Sequence, residues 1–344
     1  MENEKIVNEQ QEYSSLRYAW GAVLAFFGIS SKTHRASKKR AKLVGDIFTY
    51  IILLAGAFVM VYPFWWMLAG SFAYTDAQWG NQYLQELVWW PRNSTFESET
   101  LYGGVFYNYV NLFRNGFKLA VFAGGGEQFS YWRAVLNNLI YSIVPVVVGV
   151  ITSAMAAFSF AKIEWIGRNK VFMFLLAAIM VPGPSIMTAQ YVMYDSFGML
   201  DNWTVMVVPG LFGSIMTAFF IRQFLFGLPT SIIEAAKIDG AGYGRIFVQF
   251  ILPLAMPAIV AQGLLSFMGC WNNYMGSYIF IKTSSEWINL PHAMYAMASL
   301  SSTYTNNQGP VIAASVMCVL PVLILFAAFQ KMIIGSLMLT GSKE

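Results

Sequence analysis

Residues 229–257, PTSIIEAAKIDGAGYGRIFVQFILPLAMP, form a polar stretch between two long apolar runs of the chain. Ser231 stands three residues before Glu234. This is the spacing of a capping box, in which a hydroxyl and a carboxylate each satisfy a free amide at a helix start. The pattern predicts a helix that begins here and ends at Asp239-Gly240, because glycine allows the backbone to turn.

A second short helix is predicted after this glycine. It carries Ile246, Phe247 and Phe250 at helical spacing and is followed by Pro253. Two short helices that are joined at a glycine and flanked by membrane spans are too polar to be a span themselves. We therefore interpret residues 229–257 as an element that docks onto another protein.

The composition predicts an integral membrane protein. Of the 344 residues, 57% are hydrophobic and only 11% are charged, whereas an average soluble protein has roughly 25% charged residues. Cys270 and Cys318 lie inside apolar runs, and neither has a second cysteine or a histidine nearby in the sequence. They are predicted to pack in the interior rather than to form a disulfide or a metal site.

Six apolar segments are each long enough to cross a bilayer, which takes about 20 helical residues. They are predicted at 47–70, 134–158, 171–190, 203–225, 252–280 and 311–335. The predicted organisation has an amino-terminal extension with an interfacial segment, a first span, a long external loop, a five-helix core and a short tail. These parts occupy residues 1–46, 47–70, 71–133, 134–335 and 336–344.

The distribution of basic residues predicts that both termini are cytoplasmic. In that orientation most of the 21 lysines and arginines lie inside, among them the cluster at residues 32–42, as the positive-inside rule requires. Residues 229–257 then face the cytoplasm. The spans carry almost no ionisable side chain, although an ion-coupled transporter normally needs one near the bilayer midplane. A pump of this composition would need an external energy source.

The docking stretch resembles the EAA signature of inner-membrane permeases in binding-protein-dependent ABC transporters. The resemblance is carried by Glu234-Ala235-Ala236, Asp239-Gly240-Ala241 and Leu252-Pro253. The glycine follows the glutamate by six residues, and Leu-Pro begins twelve residues after that glycine. Phe250 stands where the family usually has isoleucine or valine. Residues 229–257 are called the coupling loop below.

Further segments are similar to the second permease of maltose-type transporters, in the carbohydrate branch of the family. They are Tyr62–Phe72, Asn137-Asn138-Leu139, Phe158–Lys162, Trp271-Asn272-Asn273-Tyr274 and Asn289-Leu290-Pro291. The resemblance covers residues 45–344. It implies an all-α membrane protein with six transmembrane helices and the type I ABC importer (MetI-like) permease fold.

The resemblance also implies the partners. They are a second permease subunit in a heterodimer, a cytoplasmic ABC ATPase dimer and an extracytoplasmic solute-binding protein, in the inner membrane of a bacterial or archaeal cell. ATP and Mg²⁺ would be bound by the ATPase. This chain is predicted to have no cofactor, metal site or catalytic group, and no Gly-Lys-Ser nucleotide-binding loop occurs in it.

Six residues are predicted to couple the protein to the ATPase: Glu234, Ala235, Ala236, Asp239, Gly240 and Ala241. The carboxylate of Glu234 would meet a charged partner, and the alanines would allow close approach. The alternative for Glu234 is that it only caps its own helix. Asp239 bonds the turn or faces the ATPase.

The predicted substrate path contains Trp271, Asn272, Asn273, Tyr274 and Gln190. Indole rings and amides suit sugar ring faces and hydroxyl groups, but asparagines in a span also hold helices together. Pro182-Gly183-Pro184 is predicted to interrupt the third span, as a gating break or as a simple kink. Residues 283–310 are a loop that either contacts the binding protein or is merely solvated.

The predicted function is that of a permease subunit in an ATP-driven importer for a sugar or oligosaccharide. The alternatives are a permease for a non-sugar solute and, less favoured, an ion-coupled secondary transporter. A polytopic membrane enzyme would need clustered acid, base or metal-binding residues at the membrane surface, and the sequence has no such cluster.

Overall fold

A computed structural model describes residues 34–72, 106–115, 117–119, 127–282, 286–300 and 309–341. The amino-terminal interfacial segment and most of the predicted external loop lie outside these residues. The chain divides into two compact units, Met1–Trp65 and Trp66–Glu344. The described part of the first unit is the amino-terminal portion of one long helix.

The structure is helical apart from one short hairpin, whose strands β1 (Phe117–Leu119) and β2 (Glu127–Phe129) are antiparallel with Lys118 opposite Gln128. The α-helices in chain order are α1 (His34–Gly70), α2 (Tyr107–Asn115), α3 (Tyr131–Lys162), α4 (Arg168–Ile179), α5 (Gly183–Ser196), α6 (Thr204–Leu211), α7 (Ile215–Phe226), α8 (Ser231–Ile238), α9 (Tyr243–Ile246), α10 (Leu252–Leu254), α11 (Met256–Trp271), α12 (Tyr274–Phe280), α13 (Leu290–Leu300) and α14 (Gly309–Gly341). A π-helix, Phe247–Ile251, joins α9 to α10.

The prediction of an all-helical membrane protein is confirmed. Among the described residues, four segments are long and apolar enough to cross a membrane: Gly45–Gly70, Tyr131–Lys162, Thr204–Phe226 and Gly309–Gln330. Two further segments are bent helix pairs, and the number of spans is six if each pair crosses once. The last helix continues to Gly341, beyond the predicted start of the tail at residue 336.

Both bent pairs depart from a straight span. Helices α4 and α5 meet at 97°, and the break falls at Pro182, as predicted. Proline has no amide hydrogen, and here its backbone is extended (φ −64°, ψ 131°). The fifth span, predicted at 252–280, is not one continuous helix: the pair Tyr243–Leu254 and Met256–Trp271 is bent by 78°. It ends at Trp271, and the short helix α12 follows as a separate element.

The buried apolar side chains of the second unit form two clusters. The first joins α3, α11, α13 and α14 and includes Tyr131, Trp271, Leu290, Met297 and Ala314. The second joins the other half of α3 to α7 and the coupling loop. Helix α3 belongs to both clusters, so it runs the length of the packed unit.

The fourth span is interrupted between α6 and α7. Gly213 has φ +82°, a conformation that side-chain-bearing residues rarely adopt. The interruption leaves backbone groups without hydrogen-bond partners inside the helix. Two hydroxyls of α3 bond these groups instead. Thr152 Oγ1 donates to the carbonyl of Leu211 (3.1 Å), and Ser153 Oγ accepts from the amide of Ser214 (2.9 Å). Such substitution is what allows non-helical backbone at membrane depth.

Helices α3 and α6 approach each other very closely beside the interruption. A Cβ atom added to Gly149 of α3 would lie 2.3 Å from the carbonyl oxygen of Gly210. Glycine is therefore needed on α3 for the backbones to meet, and the position of the interruption is fixed by close packing as well as by hydrogen bonds.

Candidate functional site

The coupling loop turns at Gly240, as predicted. This residue has φ +78°, and its amide donates to the carbonyl of Lys237 (3.0 Å). The amide of Ala241 donates to the carbonyl of Ala236 (2.9 Å). These two bonds close the carboxyl end of α8 and send the chain into α9, in the manner of a glycine-terminated helix.

The predicted capping box is wrong. Thr230 already has helical backbone angles (φ −69°, ψ −25°), and its side chain makes no cap hydrogen bond. Its carbonyl accepts from the amides of Ile233 and Glu234, at 2.9 and 3.1 Å. Ser231 is therefore inside the helix and cannot act as its cap.

Glu234 is exposed on α8, and the structure gives its carboxylate no ion pair or hydrogen bond to any described residue. The alternative in which this glutamate only caps its own helix is not what the geometry shows. Contact of this exposed carboxylate with a partner protein stays a prediction.

One face of the coupling loop is buried within this chain. Ile233, Ala236, Ile246, Phe247 and Ile251 pack in the second cluster against α3 and α7. Phe250, which stands at helical spacing from Ile246 and Phe247, is 38% exposed. Residues 247–251 form a π-helix, whose wider turn places Ile251 beneath the two preceding core residues.

The opposite face is exposed. It carries Glu234, Ala235, Asp239 and Gly240, together with Ile238, whose side chain is 86% exposed. Ala241 is half-buried. Of the six predicted coupling residues, Ala236 alone is buried, and it supports the loop from within.

The two basic side chains of the loop bind locally. Lys237 Nζ lies 4.7 Å from the centre of the Tyr243 ring, which links α8 to α9 across the turn. Arg245 Nε donates to Gln249 Oε1 (2.9 Å). Both contacts stiffen the loop without covering Glu234.

The base of the loop is tied to α3 and α4 by polar contacts. Lys162 Nζ, at the end of α3, donates to the carbonyl of Leu228 (2.7 Å). Arg222 Nε, on α7, donates to the carbonyl of Phe160 (3.1 Å), and its guanidinium lies 4.0 Å from the centre of the Phe172 ring. Together with the second cluster, these bonds hold the loop, α3 and α7 as one body.

The predicted substrate-path residues do not line one common site. Trp271 is 2% exposed; its Nε1 donates to the carbonyl of Cys318 (2.9 Å), and its ring stacks on Phe267. It faces the interior. Asn272 is exposed and Gln190, on α5, is half-buried.

Asn273 and Tyr274 occupy different surroundings. Asn273 Oδ1 accepts from the amide of Gly276 (3.0 Å) and so caps α12, while the residue also lines a cavity of about 350 Å³. Tyr274 stacks on Tyr278 and lies 5.0 Å from the ring centre of Tyr295. Of the five predicted path residues, Asn273 is the one that reaches this cavity.

The cavity lies between α3, α6, α7 and α11, beside the interruption of the fourth span. Its wall is made mostly of small residues, and no charged side chain is among the residues that line it. Its polar members, which include Ser214, Thr217 and Ser266, were not predicted from the sequence. The signal was Gly213-Ser214 inside an apolar run, a pair that favours a break more than a continuous helix.

A buried polar network was also missed, although its asparagines appeared in the motifs. Asn137 Nδ2 donates to the carbonyls of Glu286 (2.8 Å) and Ile288 (3.0 Å). Asn289 Nδ2 donates to the carbonyl of Asn273 (2.7 Å). These amides fasten the segment that precedes α13 to α3 and α12, so they serve as interhelical links.

His292 belongs to the same network. Its side chain is buried, with Nδ1 3.1 Å from Ser277 Oγ and the ring edge-on to Tyr274 and Tyr278. Burial lowers the pKa of His292 to about 4, because the charged imidazolium loses its hydration there. The described residues contain no group of three or more histidine, cysteine or acidic side chains that could hold a metal ion.

Residues 116–335 match the family described as "Binding-protein-dependent transport system inner membrane component". The chain is 32% identical to the arabinooligosaccharides transport system permease protein AraQ of Halalkalibacterium halodurans, over 62% of this chain and 75% of that protein. It is 28% identical to the diacetylchitobiose uptake system permease protein NgcG of Streptomyces coelicolor, over 84% of this chain and 86% of that protein.

A solved structure has a similar fold. It is the crystal structure of a bacterial ABC transporter involved in the import of the acidic polysaccharide alginate, with a TM-score of 0.65. The matching chain of that structure is 21% identical in sequence. The match covers 97% of that chain and 85% of this one.

The buried histidine predicts acid sensitivity. Well above pH 6.5 the ring is neutral in both the folded and the unfolded protein, so its burial carries no pH-dependent cost. As the pH falls from 6.5 towards 4, the unfolded chain binds a proton that the folded protein excludes, and stability is lost. The loss should reach about 2 kcal/mol at pH 5. It is measured as the change in melting temperature of the detergent-solubilised protein between pH 7 and pH 5.

The matched variant is His292→Asn, which keeps a polar side chain but cannot titrate. It should show a clearly smaller fall in melting temperature over the same interval. An equal fall in melting temperature between pH 7 and pH 5 for the two proteins would rule out His292 as the source of acid sensitivity.

Proposed function

Because the chain belongs to the family of binding-protein-dependent transport system inner membrane components, we propose that it forms part of the path by which a di- or oligosaccharide enters the cell. It is a multi-pass permease of the inner membrane, and in such systems ATP is hydrolysed by a separate subunit. The proposal of a carbohydrate rests on the relatives, whose names specify arabinooligosaccharides and diacetylchitobiose.

The observation that carries the coupling role is the two-faced construction of the coupling loop. Its inner face is packed against α3 and α7, while its outer face presents Glu234 and Ile238 without a partner among the residues that the structure describes. An exposed apolar side chain beside an exposed carboxylate suits a protein interface better than water. We therefore assign Glu234, Ala235, Asp239, Gly240 and Ala241 to contact with a cytoplasmic ATPase.

The rest of the assembly follows from the same assignment. A second permease would complete the path as a heterodimer, and an extracytoplasmic solute-binding protein would deliver the sugar. The loop then lies in the cytoplasm with both termini. The exposed turn between α3 and α4 also lies on this side, next to the base of the loop, through the bond of Lys162 to Leu228.

Uptake by the reconstituted complex tests the function. The permease pair, the ATPase and the binding protein are placed in proteoliposomes with ATP inside, and labelled arabinotriose, diacetylchitobiose and trehalose are supplied outside with the binding protein. We expect at least one of these sugars to accumulate, only in the presence of both ATP and binding protein. Accumulation driven by a proton or sodium gradient without ATP would contradict the proposal.

Glu234→Ala tests the coupling assignment. Loss of an interfacial charge should weaken assembly with the ATPase or reduce ATP-driven uptake at least tenfold, since truncating one partner of a buried charge pair costs about 2–5 kcal/mol. Copurification of the ATPase and the rate of uptake are the two measurements.

Glu164→Ala is the control, because Glu164 is also an exposed carboxylate and lies in the turn between α3 and α4. It should behave as the unmodified protein. Normal assembly and uptake in the Glu234→Ala complex, at normal expression, would remove Glu234 from the interface.

A further inference from the structure

The turn between α3 and α4, residues 163–167, exposes apolar side chains at a membrane boundary. Helix α3 is long and apolar enough to cross a bilayer, and it ends at Lys162. In the turn, Ile166 is fully exposed and Trp165 is partly exposed. Tryptophan is enriched at the depth of the lipid headgroups, where an aliphatic side chain is also shielded from water. The turn is therefore suited to contact with the membrane surface.

Basic side chains lie beside the same turn. Arg168 and Lys170 belong to the first turn of α4. Arg222 of α7 is next to them, since its Nη2 donates to Asn169 Oδ1 (3.3 Å). Arg168 uses one of its five N–H donors on the carbonyl of Ile163 (3.0 Å), and Lys170 has no ion-pair partner among the described residues. Both side chains therefore retain donors for a ligand.

The balance of charge around the turn is positive. An open cavity of about 390 Å³ has Arg168, Lys170 and one carboxylate, that of Glu164, in its wall. With Lys162 and Arg222, this region has four basic side chains against the single acidic one. Within the described part of the chain, Glu164 forms no ion pair with any of them. Such an excess of positive charge at a membrane surface attracts anionic headgroups.

The helix that follows the basic residues is apolar on its exposed side. Val171, Met173 and Phe174 of α4 are all exposed, and α4 and α5 together pass as one bent candidate span. A cationic helix start followed by exposed apolar side chains matches a phospholipid, whose phosphate precedes its acyl chains in the same order. A free phosphate would use the cations alone and leave the apolar side chains uncovered, so a lipid is the better match.

We propose that the α3–α4 turn and the start of α4 bind an anionic phospholipid of the cytoplasmic leaflet. Arg168 and Lys170 contact its phosphate. Trp165 and Ile166 lie among the headgroups. The choice of leaflet rests on the proposed function, which puts the coupling loop in the cytoplasm.

A lipid at this position would anchor the coupling loop at the membrane surface. Lys162 Nζ, at the end of α3, donates to the carbonyl of Leu228 at the base of the loop (2.7 Å). Arg222 Nε joins α7 to α3 through the carbonyl of Phe160 (3.1 Å). These bonds connect the turn to the body formed by the loop, α3 and α7, so the bound lipid would fix the depth of that body in the membrane.

Lipid affinity of the purified full-length chain is the main test. Phosphatidylglycerol and phosphatidylcholine with the same acyl chains are titrated onto the detergent-solubilised protein, and bound lipid is counted by native mass spectrometry. The unmodified protein should bind phosphatidylglycerol more tightly than phosphatidylcholine. The double variant Arg168→Gln/Lys170→Gln should weaken phosphatidylglycerol binding about tenfold, because each basic residue near a membrane surface adds to the attraction.

Arg133→Gln/Lys282→Gln is the matched control, since it also removes one arginine and one lysine. Arg133 lies at the opposite end of α3, and Lys282 follows α12. Phosphatidylglycerol affinity should be unchanged in this variant. Equal losses in the two double variants, or equal affinities of the unmodified protein for the two lipids, would overturn the site. Displacement of the lipid by excess inorganic phosphate would show a free-anion site instead.

A fluorescent label at Ile166→Cys, with Cys270 and Cys318 replaced by alanine, tests membrane contact without the charge variants. In phosphatidylcholine vesicles, the label should be quenched more strongly by a small share of spin-labelled phosphatidylglycerol than by the same share of spin-labelled phosphatidylcholine. Equal quenching would contradict the preference for an anionic headgroup. Neither measurement requires transport, so a complex that imports no sugar would defeat the proposed function and leave the outcome for the lipid site unaffected.

Discussion

The packing of the coupling loop against α3 and α7 is the interaction on which the account depends. Ile246 and Phe247 of the loop share one buried cluster with Ala157 and Phe158 of α3 and with Leu225 of α7. A close-packed interior transmits displacement rather than absorbing it. The bond from Lys162 to Leu228 reinforces this cluster at the membrane edge. A force applied to the exposed face of the loop would therefore move two membrane segments together, as in a rigid-body switch.

The interrupted fourth span adds a second constraint at the far end of the same body. Thr152 and Ser153 of α3 bond the backbone of the interruption, and Gly149 brings the two segments into backbone contact. Helix α3 thus joins the coupling loop to the cavity beside the interruption. A displacement of the coupling loop would reach this cavity through a single element, because α3 packs against the loop and also lines the cavity.

The sequence predicted the features that local rules govern. Low charge and long apolar runs gave the membrane class, Gly240 gave the turn, and Pro182 gave the bend. The wrong predictions concern positions whose conformation or burial depends on contacts with the rest of the structure. Thr230 is helical, so Ser231 cannot cap. Trp271 resembles a sugar-stacking residue but is buried, and the interruption near Gly213 is hidden in an apolar run because Thr152 and Ser153, distant in sequence, stabilise it.

The most direct measurement of rigid coupling is a distance between spin labels in the assembled complex. Labels at Val248→Cys in the loop and Met155→Cys on α3, both exposed positions, are introduced with Cys270 and Cys318 replaced by alanine. The distance between them should remain the same in the nucleotide-free and the ATP-trapped complex, because the two elements move as one body. A shift of several ångströms between the two states would mean that the loop moves independently of α3, and would contradict the account.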